Sequence, residues 1–526
     1  MKTNKNSQNH LLIGIDIGGT NTDAVLIDKN ENILKTSKVL TTKNIVDGFK
    51  EVIKNLLQNG LLNNIDIKNN IRSIFVGTTH ATNAILQQKD LYKVGIIRIS
   101  GNNPELEPCY SWPKELKEAI YKGHVTVNGG FNCDGREITK FDKNEIIKAA
   151  KKLILAGAES IAIVGTFSPI NPEQELIALG IIKETISKDF PVTISSQIGG
   201  ISIIERENAT ILNSALKKCL TEAFNNLSQV IKEFDINAEL YIVQNNGTLI
   251  DIKHAIKFPI LTISAGPTNS FIGGAKLAKL KNCVVIDIGG TSTDAGIVIN
   301  NFAQNSLNNS NIAGINLNFR MPDVLSIALG GGSYINKNNN NNNITIGPLS
   351  SGHKVFQESS AFSGEYITLT DFAIKRGYLN IKDADKDKIK LNEHEIKNII
   401  ALIKEKINYL EKRIKGHNNN INIVLVGGGS QLFESNIFGS NYIIPKYAHV
   451  ANAYGAALAE ISVQIDKTIS LSDRDNIIEK LQKEAIESTK QKGAKRYLRI
   501  INQQIIPYSY MPNNMARVII TAAGKR

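Results

Sequence analysis

At 526 residues the chain has room for three or four domain-sized units with sizeable cores. Its net charge of +12, from 61 Lys and Arg against 49 Asp and Glu, is spread thinly, and with only 6% aromatic residues it lacks the basic, aromatic-interleaved face that nucleic-acid binding needs. Cys109, Cys133, Cys219 and Cys283 are scattered, and no apolar run reaches the roughly 18 residues of a membrane span, so a disulfide framework, a structural zinc site, an iron–sulfur cluster and a transmembrane helix are all disfavoured and a cytoplasmic setting is expected.

Residues Met1 to His10 are polar and do not read as a signal peptide. The apolar run LLIGI then leads into Asp16 to Asp23 (DIGGTNTD), followed by AVLI, a strand, tight turn and strand. Gly18 and Gly19 permit backbone angles closed to other residues and let the turn's N–H groups approach an anion. Thr20 and Thr22 add hydroxyl donors, and Asp16 ends the first strand where a phosphate-bound magnesium ion would want a carboxylate. A turn that merely closes a hairpin, capped by its aspartates, explains a single copy equally well.

An amphipathic helix is expected over Ile45 to Leu57, then a strand over Ser73 to Val76. Gly77 to Ala84 (GTTHATNA) either sets hydroxyls and helix N–H groups at a cleft edge or forms a plain N-cap. His80 reads as a hydrogen-bonded structural residue. From Tyr92 to Ile194 strands and helices alternate, with helices near Asn144 to Ala156 and after Pro172 and a strand over Ser160 to Val164. Gly129, Gly130 and Gly135 punctuate a hairpin-like loop able to cover a substrate. A long helix runs from about Glu205 to Glu233. Its Arg206, Glu207 and Asn208 either line a pocket or make a local ion pair, the latter being the default. Strand Leu240 to Gln244, the turn NNGT and Ser264 to Pro267 complete the first half.

The string then recurs. CVVI precedes Asp287 to Asp294 (DIGGTSTD), with Gly289, Gly290, Thr291 and Thr293 in the places of the first copy, and AGIVI follows. Repetition on two buried-type strands favours two similar lobes facing one nucleotide over two coincidental hairpins. An insert from Asn301 to Asn343 carries Gly330, Gly331, Gly332 and Ser333 and a run of asparagines from Asn338 to Asn343, read as a solvated hairpin tip. After a helix over 394–413, strand Ile421 to Val426 enters Gly427, Gly428, Gly429 and Ser430. That cluster is either a strand-to-helix turn or a flat support for a base and ribose. Helices over Ala448 to Ala459 and Arg474 to Gly493 and strands Tyr497 to Ile506 and Ala516 to Ala523 follow.

Two phosphate-type turns and a later glycine turn, with no GxxxxGK[ST] loop, resemble the layout of the actin and sugar-kinase superfamily. The expected fold is α/β, a two-lobed actin-like and sugar-kinase-like ATPase with duplicated strand-turn-strand cores and an insertion in the first lobe. Expected units are 1–282, the first lobe with its α/β insertion; 283–462, the second lobe; and 463–526, a helix and strand-pair extension.

The motifs together resemble the ATP-dependent hydantoinase and 5-oxoprolinase family, in its A-type ATPase component, which is also similar to a subunit of acetone carboxylase. Besides the two DIGGT strings, the likeness rests on GTTHATNAIL at Gly77, GGFNCDGREI at Gly129, FSPINPEQE at Phe167, RENATILNSAL at Arg206, SAGPTNS at Ser264, FRMPDVLSIALGGGS at Phe319, TLTDFAI at Thr368, VGGGS at Val426 and IPYSYMP at Ile506. The chain looks like the shorter form of the family, with no B-type portion. The resemblance implies ATP and Mg2+ as cofactors, Asp16 and Asp287 holding the metal, Asp16, Asp287 and Asp294 as catalytic carboxylates, and Gly427 to Ser430 holding adenosine. It further implies ATP-driven opening of a cyclic amide with a B-type partner subunit or as a homo-oligomer. Two other readings stay open. A small-molecule kinase would accumulate a phosphorylated product, and a nucleotide-gated reactivase or chaperone would be stimulated by a protein and indifferent to lactams.

Overall fold

The computed structural model describes residues 10–526 apart from 43, 59–60, 63–64, 102–105, 305, 307–309, 320, 339–342, 417–420, 434–437, 440, 510 and 512–513. Of the expectations above, the polar start, the centre of the asparagine run, Arg320 and part of the IPYSYMP segment lie outside the described residues.

Two antiparallel hairpins organise the chain. Leu11–Ile17 pairs with Asn21–Ile27, setting Asp16 opposite Asp23; Cys283–Ile288 pairs with Thr293–Ile299, setting Asp287 opposite Asp294. The first strand of each is buried on both faces, which is why it reads as an apolar run rather than an alternation. Each first strand also gains a parallel neighbour, Ile71–Thr78 in one lobe and Ile423–Val426 in the other, with Gly77 beside Asp16 and Val426 beside Asp287. The second strand of each hairpin takes an antiparallel third, Ile33–Leu40 with Lys38 opposite Asp23, and Leu325–Ile327 with Ser326 opposite Asp294. The duplication thus spans four strands in matching register.

The first sheet has nine strands. Beyond Ile71–Thr78 it continues through Glu239–Val243 and Leu249–Asp251 to Ile461–Ser470, Met515–Lys525 and, at its edge, Arg496–Pro507. Helix Arg474–Gln491 buries Ile478, Leu481 and Ala485 against Val518, Ile520 and Ala522, so the expected C-terminal helix and strand pair extend the first lobe's sheet. Two helices link the lobes, Ala265–Leu277 and Ala451–Leu458, the latter preceded by a 3-10 turn at Ala448–Val450 where one continuous helix was expected. They cross at glycines, where a Cβ on Gly273 would lie 1.9 Å from the Ala451 carbonyl oxygen and one on Gly455 1.9 Å from that of Asn269.

The insertion forms its own parallel sheet, ordered Val192–Ile194, Ser160–Gly165, Val94–Ile99, Tyr121–Val127. The carboxyl ends of its central strands, where such sheets commonly bind ligands, are filled by the start of the long helix Ile203–Glu233. Arg206, fully buried, donates to the carbonyls of Gly165, Gly200 and Ile201 and to Ser195 Oγ. Glu207 accepts two bonds from Arg98, at 2.7 and 2.8 Å, and Asn208 accepts from the Trp112 indole. The ion pair expected here therefore exists but is long-range rather than local. The Gly129–Gly130 loop is pinned to the same domain by Thr139 and Gln174. Among the described residues no helix is long and apolar enough to cross a membrane.

Two hairpin-centred lobes joined by two crossing helices, with an α/β insertion in the first, make this an α/β fold of the two-lobed, actin-like and sugar-kinase-like type.

Candidate functional site

Both glycine turns close in the same way, Gly18 N–H to Asn21 O at 3.0 Å and Gly289 N–H to Ser292 O at 2.9 Å. They face each other directly, since a Cβ on Gly290 would lie 3.2 Å from Thr20 Oγ1. Each is braced from behind, but differently. Thr41 grips the first, its N–H on Thr20 O and its hydroxyl on Gly18 O, both at 2.9 Å. Gly331 and Gly332 grip the second, with N–H bonds to Gly289 O at 3.0 Å and Gly290 O at 2.7 Å. A side chain at Gly330 would strike the Thr291 nitrogen at 2.6 Å, which gives the Gly330–Gly332 cluster a role that sequence reasoning left blank.

Gly18, Gly19, Thr20, Gly289, Gly290 and Thr291 thus come together at the mouth between the lobes. Thr22 and Thr293 do not join them. Both are fully buried, their hydroxyls engaged by Thr41 Oγ1 and Leu329 O. Successive strand residues face opposite sides, so a threonine next to an inward-facing aspartate supports the hairpin from its far face.

The carboxylates lie between the turns and the linking helices. Asp16 Oδ2 accepts from Asn452 Nδ2 at 3.0 Å, and the same amide reaches Asp23 Oδ2 at 3.0 Å. Asn269 Nδ2 lies 3.5 Å from Asp16 Oδ1. Asp287 is hydrogen-bonded by Ser270, and Asp294 by Ser326 Oγ. Burial raises Asp16 to about 7, the charges of Asp23 and Asp287 adding to the rise while Asn269 and Asn452 oppose it. Burial likewise raises Asp287 to about 6 and Asp294 upward. Asp16 senses Asp287 across the lobes.

Close packing dictates glycine around these groups. A Cβ on Gly77 would sit 2.6 Å from Asp16 Oδ1, and one on Gly427 2.1 Å from Asp287 Oδ1, where φ is also +86°. Gly429 abuts Ile288, and the buried Ser430 hydroxyl donates to Gly427 O at 2.7 Å, while Gly428 is exposed to the cleft. At the Gly77 segment, Thr79 is the N-cap of helix His80–Gln87 but makes no side-chain cap bond; the hydroxyl that accepts from His80 N–H is that of Thr78.

Lys38, Asn269, Ser270, Ser326 and Asn452 were absent from the sequence-based site. Lys38 Nζ approaches Asp23 Oδ1 to 2.9 Å and the His449 carbonyl of the other lobe's turn to 3.5 Å.

Comparison with known proteins gives the same frame. The hydantoinase/oxoprolinase N-terminal region matches residues 12–186, and the hydantoinase/oxoprolinase domain matches residues 206–412. An uncharacterized protein of Methanocaldococcus jannaschii is 26% identical over 70% of this chain and 57% of its own length. The acetone carboxylase beta subunit of Xanthobacter autotrophicus is 24% identical over 88% of this chain and 72% of its own. The structure of the ATP-dependent caprolactamase from Pseudomonas jessenii superposes with a TM-score of 0.73 at 18% identity, over 98% of this chain and 87% of that one. The chain spans little more than half the length of the Methanocaldococcus relative. Matched along both halves, it belongs to the hydantoinase/oxoprolinase family, as an A-type component.

Proposed function

We propose that the cleft between the hairpins binds MgATP and uses it to activate and open a cyclic amide of the hydantoin or 5-oxoproline kind, with a B-type subunit completing the hydrolysis in the cytoplasm. The observation that carries the reading is the approach of Gly290 to Thr20, with Asp16 and Asp287 in electrostatic contact between the lobes. Relatives named for ATP-dependent caprolactam opening and for acetone carboxylation share its fold or sequence, which supports activation of a carbonyl compound.

An unstrained lactam carbonyl is a poor electrophile and its nitrogen a poor leaving group. Attack of the carbonyl oxygen on the γ-phosphorus, with the electron pair of the broken P–O bond leaving on ADP, gives an imidate-like phosphate. Water adds to its carbon, the ring C–N bond breaks as nitrogen takes a proton, and a second water cleaves the acyl phosphate left behind. The products are the ring-opened amino acid, ADP and phosphate. Phosphoryl transfer asks the protein chiefly for position and charge neutralisation.

In this reading Gly18, Gly19, Thr20, Gly289, Gly290 and Thr291 cradle the phosphates while Thr22 and Thr293 hold the hairpins that carry them. Gly427 to Ser430 support the adenosine. Asp16 and Asp287 would hold magnesium, which would supply neutralising charge at the transferring phosphoryl. Among the described residues no group of three or more His, Cys, Asp and Glu side chains could hold a metal by itself, and two carboxylates completed by phosphate and water are the usual magnesium set. Asp287 also orients the nucleophile, and Asp23 and Asp294 either secure the turns or would bind a magnesium-bound water, the role that would make Asp294 catalytic.

Phosphate release measured with hydantoin, 5-oxoproline, other lactams and simple ketones, with and without a B-type subunit, tests the proposal. Stoichiometric phosphate and ring-opened acid are expected. A stable phosphorylated product would instead mean a kinase, and stimulation by protein alone a reactivase.

A further inference from the structure

The duplication contains its own control. In each lobe the second aspartate of the hairpin faces a residue on the third strand, Asp23 facing Lys38 and Asp294 facing Ser326 in matching register. Ser326 satisfies Asp294 with a hydrogen bond. A short neutral side chain is therefore enough to hold this place in the hairpin, and a lysine is not needed for it.

Lys38 also fails to do what Ser326 does. Its Nζ is 2.9 Å from Asp23 Oδ1, yet among the described residues that buried oxygen has no hydrogen-bond donor, because the ammonium approaches off the bonding direction. Asp23 is instead hydrogen-bonded on its other oxygen by Asn452. The lysine places its charge beside a carboxylate on a four-carbon stem that is about one third exposed. Its surroundings belong to both lobes. A Cβ on Gly428 would be 3.4 Å from Nζ, the His449 carbonyl is 3.5 Å away, and Asp287 feels its charge.

We propose that Lys38 is a catalytic residue of the phosphoryl transfer, leaving Asp23 to contact the γ-phosphate as the lobes close around ATP. This rests on the nucleotide reading given above. The lysine stays protonated throughout: it donates hydrogen bonds to the transferring oxygens while the P–O bond to ADP breaks and the bond to the carbonyl oxygen forms, and no proton leaves it. An ammonium swung in from the first lobe over a glycine turn of the second makes γ-phosphate recognition depend on closure.

The test compares wild type, Lys38→Met, Lys38→Arg and Lys38→Ser, the last copying the second lobe. Affinities for MgATP, MgADP and a nonhydrolysable ATP analogue are measured without substrate, and phosphate release with it. Lys38→Met and Lys38→Ser should lower turnover by about 100-fold and abolish the preference for the analogue over MgADP, while MgADP affinity holds within about twofold and the melting temperature is retained. Lys38→Arg should restore part of both losses. Turnover and triphosphate preference like wild type in Lys38→Met would overturn the proposal, as would an equal loss of MgADP and analogue binding. If wild type binds neither nucleotide, the ATP reading itself falls and takes this one with it; if wild type binds nucleotide but turns over no lactam, the binding arm still decides Lys38.

Discussion

The two hairpins share register, turn closure and paired aspartates, yet their turns are braced from behind by different groups. The first is clamped by polar side chains, with Thr41 behind the turn, two asparagines of the linking helices on Asp16, and Lys38 beside Asp23. Behind the second turn the grip comes from the backbone of Gly331 and Gly332, while Ser270 and Ser326 bond its aspartates and Gly427 presses on Asp287 as Gly77 presses on Asp16. Repeated backbone geometry coupled to divergent support indicates that the turn itself serves the ligand, while the surroundings are free to specialise. Opposite the second aspartate the first lobe carries a charged lysine and the second a short serine.

The sharpest way to break this comparison is to neutralise each lobe's aspartate in turn. Asp16→Asn and Asp287→Asn keep shape and remove charge, and each should cut phosphate release by about a thousandfold or more with the melting temperature retained. Normal turnover in either variant would confine the chemistry to the other lobe. Glycine substitutions come next. Gly427→Ala meets both a positive φ and the Asp287 carboxylate and should destabilise by about 1–3 kcal/mol, whereas Gly428→Ala, whose nearest neighbour is the flexible Lys38 ammonium, should stay within about 0.5 kcal/mol. Equal melting temperatures for the two would contradict the packing account of the second lobe.

Titration separates the lobes more gently. Asp16 is raised from 3.8 to about 7, so across that window the folded protein holds a proton that the unfolded chain has released. The contribution of Asp16 to the stability of the ligand-free protein should therefore fall as pH rises through the window, by at most about 1.4 kcal/mol per pH unit. Asp16→Asn should flatten that slope more than Asp287→Asn, whose carboxylate rises only to about 6. Denaturant midpoints across the pH range, compared between wild type and Asp16→Asn, would show the same slope in both if the assignment is wrong. Smaller still, Ser326→Ala removes one donor to Asp294 and should cost about 1 kcal/mol. Shortening the Asn338 to Asn343 run should change turnover less than about twofold if the sequence reading of a solvated tip holds; a large loss would assign it a function.

Local signals in the sequence were enough for the hairpins, for helix Ile45–Leu57, which begins and ends where its apolar spacing predicts, and for the glycine cluster after Val426. What stayed hidden depends on distance along the chain. Asn452 meets Asp23 across 429 residues and Glu207 meets Arg98 across 109, contacts that no periodicity encodes. Lys38 could have been found only by knowing the register of the third strand, which the turn after Ile27 does not set by itself. Thr22 and Thr293 are different: strand alternation alone places them on the face opposite Asp23 and Asp294, so their inward bonding was legible.

The nine-stranded sheet also bears on how the protein is made. Leu249–Asp251 takes its outer neighbour from Ile461–Ser470, with Leu249 beside Ile461, and the strands over 496–525 attach beyond that. On a ribosome the first lobe must therefore wait, with an unpaired border, while the entire second lobe emerges, and synthesis of this chain carries a long interval in which that border is open to aggregation or to chaperones.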